Sequence, residues 1–234
     1  MFSPDQPWVP QINWNAPAGK VLRHFISCLP KTSRFSFTVF GSAPLQLGLE
    51  DSFLSGDVDI FAPHEFSSVI QMAGLAKGMA EIYIEQCDES VFIASTSWKE
   101  RSYTIELDNV LITFPHPVDI LVAKIRRLAP KDLRAYHLVY SKTGHPTEDE
   151  LKLALQRVVD IYRPAFDEDD TGGDPLGNTL IVWKELYHKE IDVRAEIIKP
   201  ALAKRRESYG LNAPQLKIEL RQIGSVKEQE NKKA

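Results

Sequence analysis

Apolar residues follow two different periods along this chain, and the change from one to the other divides it. From Arg34 to Gly41 the sequence reads Arg-Phe-Ser-Phe-Thr-Val-Phe-Gly, which alternates and predicts a strand. Gly56-Asp-Val-Asp-Ile-Phe61 alternates again and predicts a second strand. Shorter runs at 81–85, 90–95, 102–107 and 110–114 predict four more, with Asp108-Asn109 as a two-residue hairpin turn between the last two. Helical spacing of Val21, Leu22, Phe25, Ile26 and Leu29 predicts a helix over 19–29, closed by Pro30. Further helices are expected over 43–49 and 65–80. From Pro117 onward the period is helical: Val118, Leu121, Val122, Ile125 and Leu128 form one stripe behind a proline at the favoured first position. Another helix is expected near Asp132, and a third after Thr147, where Thr147 and Glu150 form a capping box.

This order predicts an α/β (α+β) protein, a mixed sheet flanked by helices with a helical C-terminal region. The expected division is a core over 1–145 and a helical region over 146–234. Pro4, Pro7, Pro10 and Pro17 make residues 1–17 an irregular arm, whose Trp8 and Trp14 are expected to lie on an apolar surface. Residues 164–178 read as a hinge-like loop, helical patterns return over 179–209, and the last ten residues read as a solvated tail.

Composition narrows the class. Apolar residues make up 43% and charged residues 26%, enough apolar material to form a core. No run reaches the 18 uncharged apolar residues of a membrane span, and the N-terminus lacks the basic start and apolar run of a secretory signal. Cys28 and Cys87 therefore read as reduced thiols in a cytoplasmic protein. The net charge of −4 excludes a global attraction for nucleic acid or anionic lipid, though not a local basic face.

The segment that carries chemistry runs from Phe40 to Phe61. A strand ends in Gly41-Ser42, fourteen residues intervene, and the next strand carries Asp57-Val58-Asp59. Residues i and i+2 of a strand share a face, so the two aspartates project together while Val58 points into the core. Two carboxylates that close call for a cation, and a hard ion such as Mg²⁺ bridges carboxylates to substrate phosphates. Gly41 permits a tight turn and close approach to an anion. Ser42 adds a hydroxyl and an N–H at the head of a short helix. A phosphate cradle beside a metal-binding pair is what transfer of a nucleotidyl group needs.

With these residues the sequence resembles the polymerase-β-like nucleotidyltransferase superfamily, whose pattern is an apolar strand, Gly-Gly or Gly-Ser, then Asp-x-Asp on the next strand. Residues 115–140, which run from Pro115-His-Pro-Val-Asp through Lys131-Asp-Leu-Arg, resemble the AbiEii/MenT-like branch of toxin-type and abortive-infection nucleotidyltransferases. That resemblance implies that Lys124 and Asp132 complete the site. It implies transfer of a nucleoside monophosphate from an NTP such as ATP to an acceptor hydroxyl. Asp57 and Asp59 would hold Mg²⁺, Gly41 and Ser42 would bind phosphates, and Lys124 would meet the triphosphate charge. The implied acceptors are a tRNA or other RNA end or a protein hydroxyl, and the implied setting is a toxin–antitoxin pair or phage defence, with an antitoxin as partner. Superfamily members often add a third carboxylate on a later strand, and Glu106 is the candidate here. Arg127 falls on the side of the helix away from the core and is left out of the site.

Plainer readings stand beside these. Lys124 could lay its stem along the helix flank, Asp132 could cap the helix that begins after Pro130, and Glu106 could be an ordinary outward strand residue. Asp167–Asp170 with Gly172-Gly173-Asp174 lacks calcium-loop spacing, and the histidines and cysteines lack zinc spacing. Lys204-Arg205-Arg206 reads as a charged helix end, and Trp183 with Tyr187 as core. The rival functions are a non-catalytic nucleotide-binding or regulatory protein and an adenylyltransferase acting on a small molecule of the aminoglycoside kind.

Overall fold

The computed structural model describes residues 6–53, 55–163 and 173–208. The protein is a mixed α/β fold built on a five-stranded mixed sheet. The strands are β1 (Phe35–Val39), β2 (Asp57–Phe61), β3 (Tyr83–Gln86), β4 (Tyr103–Leu107) and β5 (Val110–Phe114), in the spatial order β3-β2-β1-β5-β4. β1 pairs antiparallel with β2 and parallel with β5; β2 and β3 are parallel, and β4 and β5 form the expected hairpin. The turn between them places Asp108 at φ 55, a conformation that aspartate tolerates better than most residues.

One face of the sheet is covered by α1 (Pro17–Cys28) and α3 (Ser67–Met72). Phe37, Val39, Val58, Ile60, Ile84 and Ile112 enter that core with Leu22, Phe25 and Ile26 of α1. Strand alternation sends Asp57, Asp59 and Phe61 to the other face, where Phe61 meets a second core. That core is formed by α4 (Pro117–Lys124), α5 (Pro130–Thr143), α6 (Glu148–Gln156), α7 (Pro175–Tyr187) and a π-helical turn at Arg194–Ile198 that runs into α8 (Lys199–Ser208). α2 (Ala43–Gly48) follows β1 directly. The N-terminal arm lies against α2: Trp8 is buried with its ring against Gly48, and the Asn13 N–H donates to the Leu47 carbonyl at 2.8 Å.

Several expected elements differ. The helix expected over 65–80 is only α3, because Gly74 and Gly78 adopt φ +68 and +84 and break the period. The strand expected over 90–95 does not form. The Asp88 carboxylate accepts from the Ser90 N–H at 2.8 Å and starts a short turn. Phe92 then leaves the sheet direction to stack on Phe40, ring centroids 4.5 Å apart. α4 ends at Lys124 rather than at Leu128, whose φ of 44 turns the chain towards α5. α7 begins at Pro175, inside the stretch read as loop, with the Asp174 carboxylate capping the Gly177 N–H at 2.8 Å. The acidic run Asp167–Asp170 and the tail from Tyr209 on lie outside the described residues.

Candidate active site

Asp57 and Asp59 stand on β2 with their side chains on the same face, and Glu85 stands beside Asp59 on β3, paired with it in register. One carboxylate oxygen from each of the three lies within 4.8 Å of the others. Ser55, buried, donates to Asp57 Oδ1 at 3.2 Å, and Lys131 Nζ lies 3.9 Å from the same oxygen. Burial first, then the charges of Asp57 and Glu85, push the Asp59 carboxyl up to about 6, against the weaker pull of Lys124 and Lys131. Carboxylate oxygens that crowd one another and lie partly out of water suit a hard divalent cation, which would relieve the repulsion that raises Asp59.

The turn after β1 closes over this group. The Phe40 N–H donates to the Asp59 carbonyl at 2.8 Å, and Gly41 follows at φ +65. A Cβ at Gly41 would collide with Asp59 Oδ2, so the aspartate occupies the space that glycine leaves. Ser42, 3% exposed, then turns its hydroxyl towards α4. The glycine is thus required twice, by the left-handed backbone and by the close approach of Asp59.

Opposite the acidic group stands a basic one. Lys124 Nζ donates to Ser42 Oγ at 3.2 Å and to Asp132 Oδ1 at 2.8 Å, with only 8% of the lysine exposed. Burial lowers its pKa, while the Asp132 charge acts the other way. Asp132 is wholly buried and accepts from three sources: Lys124, the Arg127 guanidinium at 3.1 Å, and the Ala129 N–H at 3.0 Å. Burial alone would raise its pKa, but Lys124 and Arg127 together outweigh that and hold the carboxyl below its usual value. Asp132 therefore both caps α5 and fixes the two cations. Lys124 is no flank residue, since its amine reaches the Gly41-Ser42 turn.

The structure therefore gathers Gly41, Ser42, Asp57, Asp59 and Lys124 around one cleft of about 750 Å³, ample for a small-molecule ligand, with Asp132 buried behind Lys124. It does not gather Glu106. That residue faces solvent on β4, opposite Leu111, at the far edge of the sheet. Two strands, β1 and β5, separate it from β2, a gap of about 14 Å at ordinary strand spacing. The third carboxylate is Glu85. The sequence offered a cue for it, since Glu81–Glu85 is the first strand-like run after Asp-x-Asp. Only the parallel pairing of β2 with β3 selects Glu85 over Glu81.

Arg127 is a second correction. Extending the helical wheel through residue 127 sends its side chain away from the core. α4 stops at Lys124, however, and from the following turn Arg127 reaches Asp132 and lines the cleft. Lys131 was also overlooked. Cys87 lines the cleft as well, but burial, then Asp59 and Glu85, push its thiol up to about 11, so it stays protonated. Trp183 is fully buried, Tyr187 Oη donates to the Pro146 carbonyl at 2.8 Å, and Arg205 pairs with Asp160 at 3.0 Å. No helix of the described residues is long and apolar enough to cross a membrane. No protein-family model, curated protein or solved structure matches the chain.

Proposed function

We propose that this protein is a nucleotidyltransferase that moves a nucleoside monophosphate from an NTP to an acceptor hydroxyl. The observation that carries this reading is the facing of three carboxylates by Ser42, Lys124 and Arg127 across a single cleft. Such a site separates the two requirements of the reaction, a cation site on one wall and a polyphosphate site on the other. Asp57, Asp59 and Glu85 would hold Mg²⁺, which when bound supplies charge neutralisation for the triphosphate and the leaving pyrophosphate. The Ser42 hydroxyl and the Lys124 amine, already in contact, offer donors to phosphate oxygens. Arg127, held by Asp132 with 75% of its side chain exposed, adds another.

In the proposed step, a bond forms between the acceptor oxygen and the α-phosphorus as the bond from that phosphorus to the bridging oxygen of pyrophosphate breaks. The acceptor proton passes to a carboxylate, and Glu85, the most exposed of the three, is the one open to an incoming hydroxyl. Asp132 keeps Lys124 pointed at the Gly41-Ser42 turn and is a positioning residue.

Incubation with α-labelled NTPs, Mg²⁺ and total RNA, for wild type and for Asp57→Ala, tests this reading. Label in RNA or protein from wild type alone is the expected result. No label from either, with NTP binding retained, would reduce the protein to a nucleotide binder. Label only in a small-molecule acceptor screen would reassign the acceptor.

A further inference from the structure

The turn after α4 leaves two backbone carbonyls without the donors that a helix would give them. In a continuing helix the Ile125 carbonyl would accept from the Ala129 N–H, and the Arg126 carbonyl from the N–H of residue 130. The Ala129 N–H donates instead to Asp132 Oδ2 at 3.0 Å, and residue 130 is a proline, which has no N–H. One side chain from another helix meets both carbonyls. Asn178 Nδ2 donates to the Ile125 carbonyl at 2.8 Å and to the Arg126 carbonyl at 3.0 Å, from 53 and 52 residues further along the chain. Two neighbouring acceptors also fix which end of the carboxamide faces the turn, because only its nitrogen can donate. Asn178 sits in the first turn of α7, where its own N–H donates to the Asp174 carbonyl at 2.8 Å. Gly173, just ahead of that helix, packs so closely that a Cβ there would collide with the Arg126 carbonyl oxygen. The start of α7 is therefore fastened to the turn that carries Arg127.

We propose that Asn178 is a positioning residue for the basic wall: its carboxamide fixes the backbone turn from which Arg127 reaches the phosphates. The proposal rests on the transferase reading and adds to it a residue that acts through another. The two cations differ in what holds them. Lys124 belongs to α4 and is buried between Ser42 and Asp132. Arg127 follows the helix end and keeps most of its side chain in solvent. Asp132 restrains its guanidinium, and Asn178 restrains the backbone behind it. Without Asn178, both carbonyls would have to find other donors, and the turn would lose the geometry that sets Arg127 opposite the carboxylates.

Calorimetry with inorganic tripolyphosphate and Mg²⁺ tests this in the full chain, through a double-mutant cycle between Asn178 and Arg127. Asn178→Ala and Arg127→Ala are each expected to weaken binding roughly tenfold, the worth of one charge-assisted hydrogen bond. The double variant should bind no more weakly than Arg127→Ala, because Asn178 acts through the arginine. Asn178→Gln keeps the donors one methylene further out and should fall between wild type and Asn178→Ala. It carries the cycle if the alanine variant does not fold. Additive losses in the double variant overturn the proposal, as does wild-type binding by Asn178→Ala or by Arg127→Ala. Hydrogen exchange without ligand separates this outcome from failure of the transferase reading. Amides of residues 125–129 should exchange faster in the Asn178 variant than in wild type, while those of 120–122 stay protected. Such a change in a protein that binds neither tripolyphosphate nor NTP would leave the turn held by Asn178 and sink the transferase reading. NTP binding with unchanged exchange at the turn would do the reverse.

Discussion

The acidic wall of the cleft stands on two hydrogen-bonded strands, whereas the basic wall stands on the end of α4, a turn and the first residues of α5. The ladder between β2 and β3 sets Asp59 beside Glu85 whatever their charges prefer, and burial first, then the charges of Asp57 and Glu85, raise the Asp59 carboxyl to about 6. No ladder holds the basic wall. Lys124 and Arg127 are placed by one buried carboxylate, Asp132. Like charges are thus tolerated where the backbone is rigid, and opposite charges do the positioning where it is not.

That contrast can be broken from either side. The largest effect is expected at Asp59: Asp59→Asn should lower the proposed transfer about 10³-fold or more, with the fold intact, as measured by initial rates and circular dichroism. Next comes Asp132→Ala, which strands a buried lysine. It should destabilise the protein by about 3–5 kcal/mol in denaturant melts. The double variant Lys124→Met, Asp132→Leu should recover most of that stability but none of the activity. If Asp132→Ala melts like wild type, the basic wall is not held as described.

Gly41→Ala should cost about 1–3 kcal/mol, from a left-handed backbone and a Cβ that displaces Asp59. It should weaken Mg²⁺ binding in calorimetry more than it lowers stability. The pH dependence of Asp59 comes next. Its folded value of about 6 lies above the ordinary 3.8, so the unfolded chain loses this proton first as pH rises. Stability from this group is greatest below about pH 4 and declines up to about pH 6, by at most about 3 kcal/mol. Asp59→Asn should therefore gain on wild type across that window in metal-free melts, and Mg²⁺ should erase the gain at neutral pH. The smallest effect is expected at Glu106: Glu106→Gln should leave rate and stability unchanged, whereas Glu85→Gln should lower the rate sharply.

Residues next to one another in sequence made part of this legible. Gly41-Ser42, the Asp57–Asp59 pair on one strand face, the Thr147–Glu150 capping box and the proline that opens α4 all act within a few residues, where backbone geometry follows directly from composition. The misplaced helix end at Leu128 shows the limit of such reasoning. An apolar stripe continues through it, yet α4 ends at Lys124 and both Lys124 and Arg127 pair with Asp132, which no periodicity registers. The choice between Glu85 and Glu106 fails for the same reason. Both alternate outward from a strand, and only the order β3-β2-β1-β5-β4 brings one to the aspartates and sends the other to the opposite edge.

By itself, then, the sequence determined most of the local units: the strands at β1, β2, β4 and β5 and the helices at α1 and α4, which side of each is apolar, and that two aspartates share a face. The tertiary structure alone decided which strand lies beside β2, where α4 stops, and how the cations converge on Asp132. Those outcomes depend on contacts between residues far apart in the chain, such as Ser42 with Lys124, and the free energy of such contacts exists only once the chain has closed on itself.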